Sequence, residues 1–207
     1  MSQLAILGAS GHGKVLACAA EAFGWCNIVF FDDAWPELVS NGPWEVIGTG
    51  SDLIAKAGSY AGVAVAIGDN ATRKYKLDFL IAAGAAVVSV VHPSATISRY
   101  ASIAAGGAVF AGAVVNAGAS IGGGVILNTN SVVEHDCVLG STCHLSPGAV
   151  LAGGVHLGNG VWVGANASIK QSVCVGDNSV VGMGAVVTRN VRPEVTVVGS
   201  PARLLKK

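Results

Sequence analysis

Charge is scarce in this 207-residue chain: 12 basic residues balance 12 acidic ones, and only 12% of positions are charged. With zero net charge and an isoelectric point near 6.9, the chain has no long-range attraction for nucleic acid or an anionic membrane surface. Any phosphate it binds must be held locally. Cysteine is sparse too: Cys18, Cys26, Cys137, Cys143 and Cys174 form an odd set without a Cys-x-x-Cys pair. That usage predicts a cytoplasmic chain with no disulfide framework and no structural zinc. The N-terminus has no basic stretch ahead of its first apolar residues, which predicts no signal peptide. Mean hydropathy is +0.60 and no charge occurs between Tyr100 and Val133, yet seven glycines and Asn116, Asn128 and Asn130 interrupt that run. A helix in lipid would not tolerate so many breaks, so no membrane partner is expected.

What the chain has in abundance is glycine, 29 residues, and aliphatic residues at a fixed interval. A step of six from Val91 lands on Ile97, Ile103, Val109 and so on to Val187, and all 17 positions are Ile, Leu or Val. Two residues before each lies a second series, from Ser89 and Ala95 through Cys137 and Cys143 to Ala185, in which nothing exceeds Val in size. Residues two apart on a strand share a face, so each hexad reads as a short strand with a small and a large residue inward, followed by a turn. A helix would scatter a six-residue step around its axis. Gly122, Gly140, Gly158 and Gly176 recur every 18 residues, or three hexads, which predicts a three-sided prism of stacked coils. Cys137 and Cys143 then sit inside it as core residues.

Residues 1–84 read as a separate α/β unit. Leu4–Leu7, Asn27–Phe31 and Val63–Ile67 have the character of buried strands, and Lys14–Phe23 and 71–83 have helical patterns. Alternating strands and helices predict a Rossmann-like βαβαβ parallel sheet with a crevice at the strands' carboxyl ends. The irregular segment 34–51, with Trp35, Pro36, Pro43 and Trp44, reads as a flap.

The loop Gly8-Ala-Ser-Gly11-His12-Gly13-Lys14-Val15 follows a strand and opens a helix, a geometry whose amides can cradle a phosphate. Its glycines do not have dinucleotide-fingerprint spacing, and Val15 replaces the Ser or Thr that a Walker loop needs for magnesium. Asp32 and Asp33 close the second strand about 20 residues later, where an acid accepts hydrogen bonds from a ribose or base edge; a solvated turn is the competing reading. Asn70 and Arg73, at the start of the second helix, add polar and cationic groups to the same crevice. In the repeats, His135 is flanked by Glu134 and Asp136, and either carboxylate could orient the ring for proton abstraction. His144 precedes inward Leu145 and is expected to point outward, half a coil from His135.

The motifs at 8–13, 31–33 (Phe-Asp-Asp), 66–70 (Ala-Ile-Gly-Asp-Asn), 92–95 (His-Pro-Ser-Ala), 134–137 (Glu-His-Asp-Cys), 144–148 and 199–203 (Gly-Ser-Pro-Ala-Arg) line up with a known group. In order and along almost the whole chain, they resemble the hexapeptide-repeat acyltransferases, specifically the sialic-acid O-acetyltransferases and the N-acetyltransferases of UDP-4-amino-4,6-dideoxy sugars, as in bacillosamine synthesis. The resemblance implies a left-handed parallel β-helix over residues 85–207, ending in a short tail, and a homotrimer. It also implies acetyl-CoA as co-substrate and no metal. By the same resemblance His135 is the general base, with Asp136 or Glu134 as its partner. Gly11, His12, Asp32 and Asp33 hold a sugar nucleotide, joined by Asn70 and Arg73. His144, Gly153 and Arg203 contact acetyl-CoA. Ala34 stands where some relatives carry a basic residue, which leaves the nucleotide open. Two other readings remain, a sugar O-acetyltransferase and a nucleotide-binding scaffold without catalysis.

Overall fold

The structure, a computed structural model, describes residues 3–205; residues 1–2 and 206–207 of the two expected domains lie outside it. The chain divides into two compact units, with the break after Pro93. That is later than 84/85 because residues 86–88 continue the first unit's sheet: Val63 donates to Ala86 O at 2.9 Å and accepts from Val88 N at 3.0 Å.

In the first unit, β1 (Leu4–Leu7), β2 (Ile28–Phe31) and a third strand Gly62–Val65 form a parallel sheet with β1 in the centre. All four residues of each strand are buried, as expected for a sheet covered on both faces. Isolated parallel bridges, Phe30 to Val46 and Val63 to Val87, extend the sheet at both edges. Helix α1 spans Gly11–Phe23 and starts three residues earlier than the sequence pattern suggests. The glycine-rich stretch therefore supplies the first helical turn, and only Gly8 to Ser10 form the loop. Gly8 has φ +107°, where a side chain would be strained, and a Cβ at Gly13 would run into the carbonyl of Gly8. A further helix, Asn70–Ala82, is capped by Asp69, whose side chain accepts from Thr72 N.

Segment 34–51 is packed rather than a flap. Ser40–Asn41 and Trp44–Glu45 pair antiparallel, and Trp44 is buried against Phe30 with ring centroids 6.0 Å apart. Its indole donates to Glu21 at 2.9 Å. The short helix Gly50–Ala55 follows, started by a reciprocal cap between Thr49 and Asp52.

The second unit is a parallel β-solenoid. From Thr96–Ile97 to Ser168–Ile169 each two-residue strand pairs with the strand 18 residues on, as in Val114–Val115 with Val132–Val133 and Val138–Leu139 with His156–Leu157. The pairing builds three faces. One has six strands from Thr96–Ile97 to Val186–Val187, and one has five from Ser102–Ile103 to Cys174–Val175. The third runs from Ala108–Val109 to Thr196–Val198 and ends on an antiparallel strand, Arg203–Leu204. From Gly107 and Val109 onward, both inward series are buried at every position to Val187. The corners follow a third hexad series: all 14 positions from Gly106 to Gly184 in steps of six have positive φ, held by Gly, Asn, Asp, Thr or Ser. Asp136, at φ +59°, is one of them.

Candidate functional site

The first unit carries a crevice of about 280 Å³ at the carboxyl ends of its strands, lined by Gly8, Ser10, Asp32, Asp33, Thr72 and Lys76 among others. Asp32 is committed to the backbone, accepting from Ala9 N at 2.7 Å and Ala34 N at 3.0 Å. Asp33 accepts from Gly50 N at 2.9 Å and from Lys76 Nζ at 3.1 Å. The Gly50 amide, then Lys76, hold its carboxyl below the usual range. Gly11 lies in the first turn of α1, and a Cβ there would meet nothing.

Arg73 does not face this crevice. It is buried, and its guanidinium donates to Ile67 O, Gly68 O and Asn70 Oδ1 at 2.9, 3.0 and 2.8 Å. A guanidinium has five donors in a rigid fork, and the loop after the third sheet strand supplies a matching set of oxygens. Asn70 is thereby turned to the same internal task, and Thr72 and Lys76 are the residues of this helix that line the crevice. Burial, with the nearby Arg73 charge adding to it, lowers the His12 pKa to about 4. His12 is a neutral ring near pH 7.

In the solenoid, His135 occupies the corner between strands Val132–Val133 and Val138–Leu139. Its Nδ1 is 2.9 Å from Asp136 Oδ2, and the ring is 65% exposed. Glu134 is engaged elsewhere, accepting from Asn116 Nδ2 at 2.9 Å. Of the two flanking carboxylates, Asp136 is the one that meets the imidazole. Gly153 lies one coil beyond His135, and a Cβ on it would collide with Nε2 and Cε1 of the ring.

His144 lies on the third face, across the triangle from the His135 corner. It points outward as expected yet is buried, because Trp162 of the next coil covers it with parallel rings 5.8 Å apart. Asn128 Nδ2 approaches its Nε2 at 3.4 Å, and Trp162 Nε1 donates to Ser146 at 2.8 Å. Sequence reasoning missed Asn116 and Trp162; an 18-residue step back from Glu134 and forward from His144 would have found both. Cys137 and Cys143 are buried, their thiols donating to Ala152 O and Gly158 O. Burial pushes the Cys137 thiol up, which makes it a poor nucleophile. At the end of the prism, Arg189, Arg192 and Arg203 line a second pocket of about 230 Å³ with Val191, Val197 and Leu204. Among the described residues no His, Cys, Asp or Glu cluster could hold a metal ion, and no helix is long and apolar enough to cross a membrane.

Residues 3–79 match the model of the PglD N-terminal domain. Residues 154–189 match the bacterial transferase hexapeptide (six repeats), and 132–171 the hexapeptide repeat of succinyl-transferase. Among curated protein sequences none matches the chain. Among solved structures, the acetyltransferase domain of PglB from Neisseria gonorrhoeae, in complex with acetyl coenzyme A, is 39% identical, with a TM-score of 0.94 over 98% of each chain. PerB from Caulobacter crescentus, in complex with CoA and GDP-perosamine, is 33% identical, with a TM-score of 0.94 over 100% of this chain and 98% of that one. WeeI from Acinetobacter baumannii is 29% identical, with a TM-score of 0.91 over 99% and 100%. With a PglD-type sheet domain followed by a left-handed parallel β-helix, the chain belongs to the hexapeptide-repeat acetyltransferases.

Proposed function

We propose that the protein transfers an acetyl group from acetyl-CoA to the 4-amino group of a nucleotide-linked 4-amino-4,6-dideoxy sugar, with UDP as the nucleotide. The observation that carries this reading is the His135–Asp136 pair. Asp136 accepting the Nδ1 proton leaves the lone pair on Nε2, which makes Nε2 the basic nitrogen. The sugar amine attacks the thioester carbonyl, its N–H proton passes to Nε2, and the carbon–sulfur bond breaks with coenzyme A thiolate leaving. No acyl-enzyme is invoked, since Cys137 and Cys143 are buried.

The sheet-domain crevice suits the nucleotide. Gly11 is required neither by conformation nor by packing within the chain, and it lies at the start of α1, where helix amides favour a phosphate. Neutral His12, in the first turn of the same helix, can accept or donate a hydrogen bond without acting as a fixed charge. The pocket at the end of the prism fits acetyl-CoA, its arginines matching phosphates and its valines and Leu204 an adenine face. His144 lies across the prism from His135, so a ligand touching both must lie between two chains. A closed trimer supplies three such clefts.

GDP is the second reading for the nucleotide, favoured by the complex of PerB with GDP-perosamine. The test offers the purified protein acetyl-CoA with a UDP-linked 4-amino sugar, its GDP counterpart, or free sialic acid, and follows thiol release and product mass. N-acetylation of the UDP sugar is expected to be fastest. His135→Ala is expected to lower kcat by roughly 10² to 10⁴ with modest effect on either KM. Near-normal turnover by His135→Ala would refute the base, and transfer to a hydroxyl alone would refute N-acetylation.

A further inference from the structure

Every imidazole that acts as a base needs a fixed direction, and an exposed corner residue has little around it to supply one. In this solenoid the missing constraint comes from what a neighbouring coil leaves out. His135 and Gly153 are one coil apart, tied by a hydrogen bond from Gly154 N to His135 O at 2.8 Å. A Cβ on Gly153 would overlap Nε2 and Cε1, the edge of the ring next to the Nδ1 that meets Asp136, and the three nearest atoms it would meet all belong to that ring. Gly153 is not among the residues with positive φ, so its backbone does not require glycine. Nor does the surrounding backbone crowd it, in contrast with Gly140 and Gly158 in the same solenoid, where a Cβ would strike the chain of the next coil.

We propose that Gly153 is a positioning residue for His135, the absent side chain being the seat of the imidazole's Nε2 edge. This rests on the reading of His135 as the base. Asp136 holds Nδ1 and the Gly153 gap receives the adjacent Nε2–Cε1 edge, so the basic nitrogen keeps one place relative to the substrate amine. A methyl group in the gap forces the ring to swing out, either lengthening the Asp136 contact or carrying Nε2 away from the amine. The obstructing atoms are the far end of a flexible, exposed side chain, so the fold has no reason to change.

The experiment compares wild type, Gly153→Ala, His135→Ala and the double variant in the full-length protein. The measurements are kcat, both KM values, the thermal midpoint and the imidazole ¹⁵N signals of His135. For Gly153→Ala the expected result is an unchanged midpoint, kcat lower by roughly 10- to 100-fold, and KM values within about two-fold of wild type. The Nδ1–H signature of the Asp136 contact is expected to weaken. In the double variant kcat should fall no further than in His135→Ala, because the methyl acts only through the ring. Normal kcat in Gly153→Ala, or an additive loss in the double variant, overturns the proposal while leaving the base intact. A loss confined to the KM for acetyl-CoA overturns it in favour of a direct contact with that ligand. Unfolding of Gly153→Ala that persists in the His135→Ala background also overturns it, since the ring is then not the obstruction. Full activity of His135→Ala instead removes the reading on which the proposal rests.

Discussion

Gly140→Ala should damage the solenoid through a single methyl group. A Cβ at this position would lie 2.7 Å from the carbonyl carbon of Gly158 and the amide nitrogen of Asn159, both backbone atoms of the next coil. Carbon atoms in contact settle at about 3.5–4.0 Å, so the methyl arrives roughly 1 Å too close. The coils cannot separate to admit it without stretching the ladder that spaces them, to which Gly140 itself donates at 2.9 Å through Leu157 O. Overpacking of this kind costs about 1–3 kcal/mol. With a urea slope of about 2 kcal/mol/M, the unfolding midpoint should drop by roughly 0.5–1.5 M. The assay is urea unfolding followed by far-UV circular dichroism at one fixed protein concentration, because oligomer dissociation would move the midpoint by mass action. Gly153→Ala is the matched control, the same chemical change with the His135 ring as the nearest obstacle. A Gly140→Ala midpoint equal to wild type, or a Gly153→Ala midpoint displaced just as far, would refute the reasoning.

Two other outcomes follow from the site. His12 is held near pKa 4 in the fold, against 6.5 when exposed, so between those values the unfolded chain binds a proton that the folded chain does not. Its contribution to stability is whole above pH 6.5 and is lost as pH falls toward 4; urea midpoints at several pH values should decline less steeply in His12→Asn, and equal slopes would count against the buried neutral ring. If the active site spans two chains, inactive His135→Ala and inactive His144→Ala proteins should regain activity when unfolded together and refolded, as some interfaces then pair two intact halves. A fully active monomer in light scattering at the assay concentration would exclude the shared cleft.

The prism was legible because its interior admits so little variation. A narrow core of parallel coils leaves room per side for one residue no larger than Val and one Val, Ile or Leu, and each hexad from Gly107–Val109 to Ala185–Val187 obeys. The 18-residue glycines were legible for the same reason, since they lie where one coil's backbone meets the next. Segment 34–51 was not, because prolines and scattered tryptophans give no period, and only tertiary contact with Glu21 and Phe30 assigns Trp44 its place. Arg73 was misplaced because its sequence shows a charge at a helix start and not the carbonyls waiting beneath it. His144 was read correctly as outward, but burial also depends on what the next coil lays over it, here Trp162.

The division of labour within a coil explains where chemistry can arise in this fold. Inward positions are fixed by volume, and the corner positions with positive φ are restricted to residues that tolerate that backbone. The outward strand positions and the residue just before each left-handed corner are left to vary, and His144 and His135 occupy one of each. Because neighbouring coils stack in register, such a residue in the middle coils has two neighbours that the sequence names at 18 residues before and after. For His135 these are Ala117 and Gly153, the smallest residues available. An exposed histidine flanked above and below by nothing larger than a methyl group can present its ring to a ligand, whereas His144 beneath Trp162 can present at most an edge. Reactivity in this solenoid is therefore decided as much by the stacked neighbours as by the residue itself.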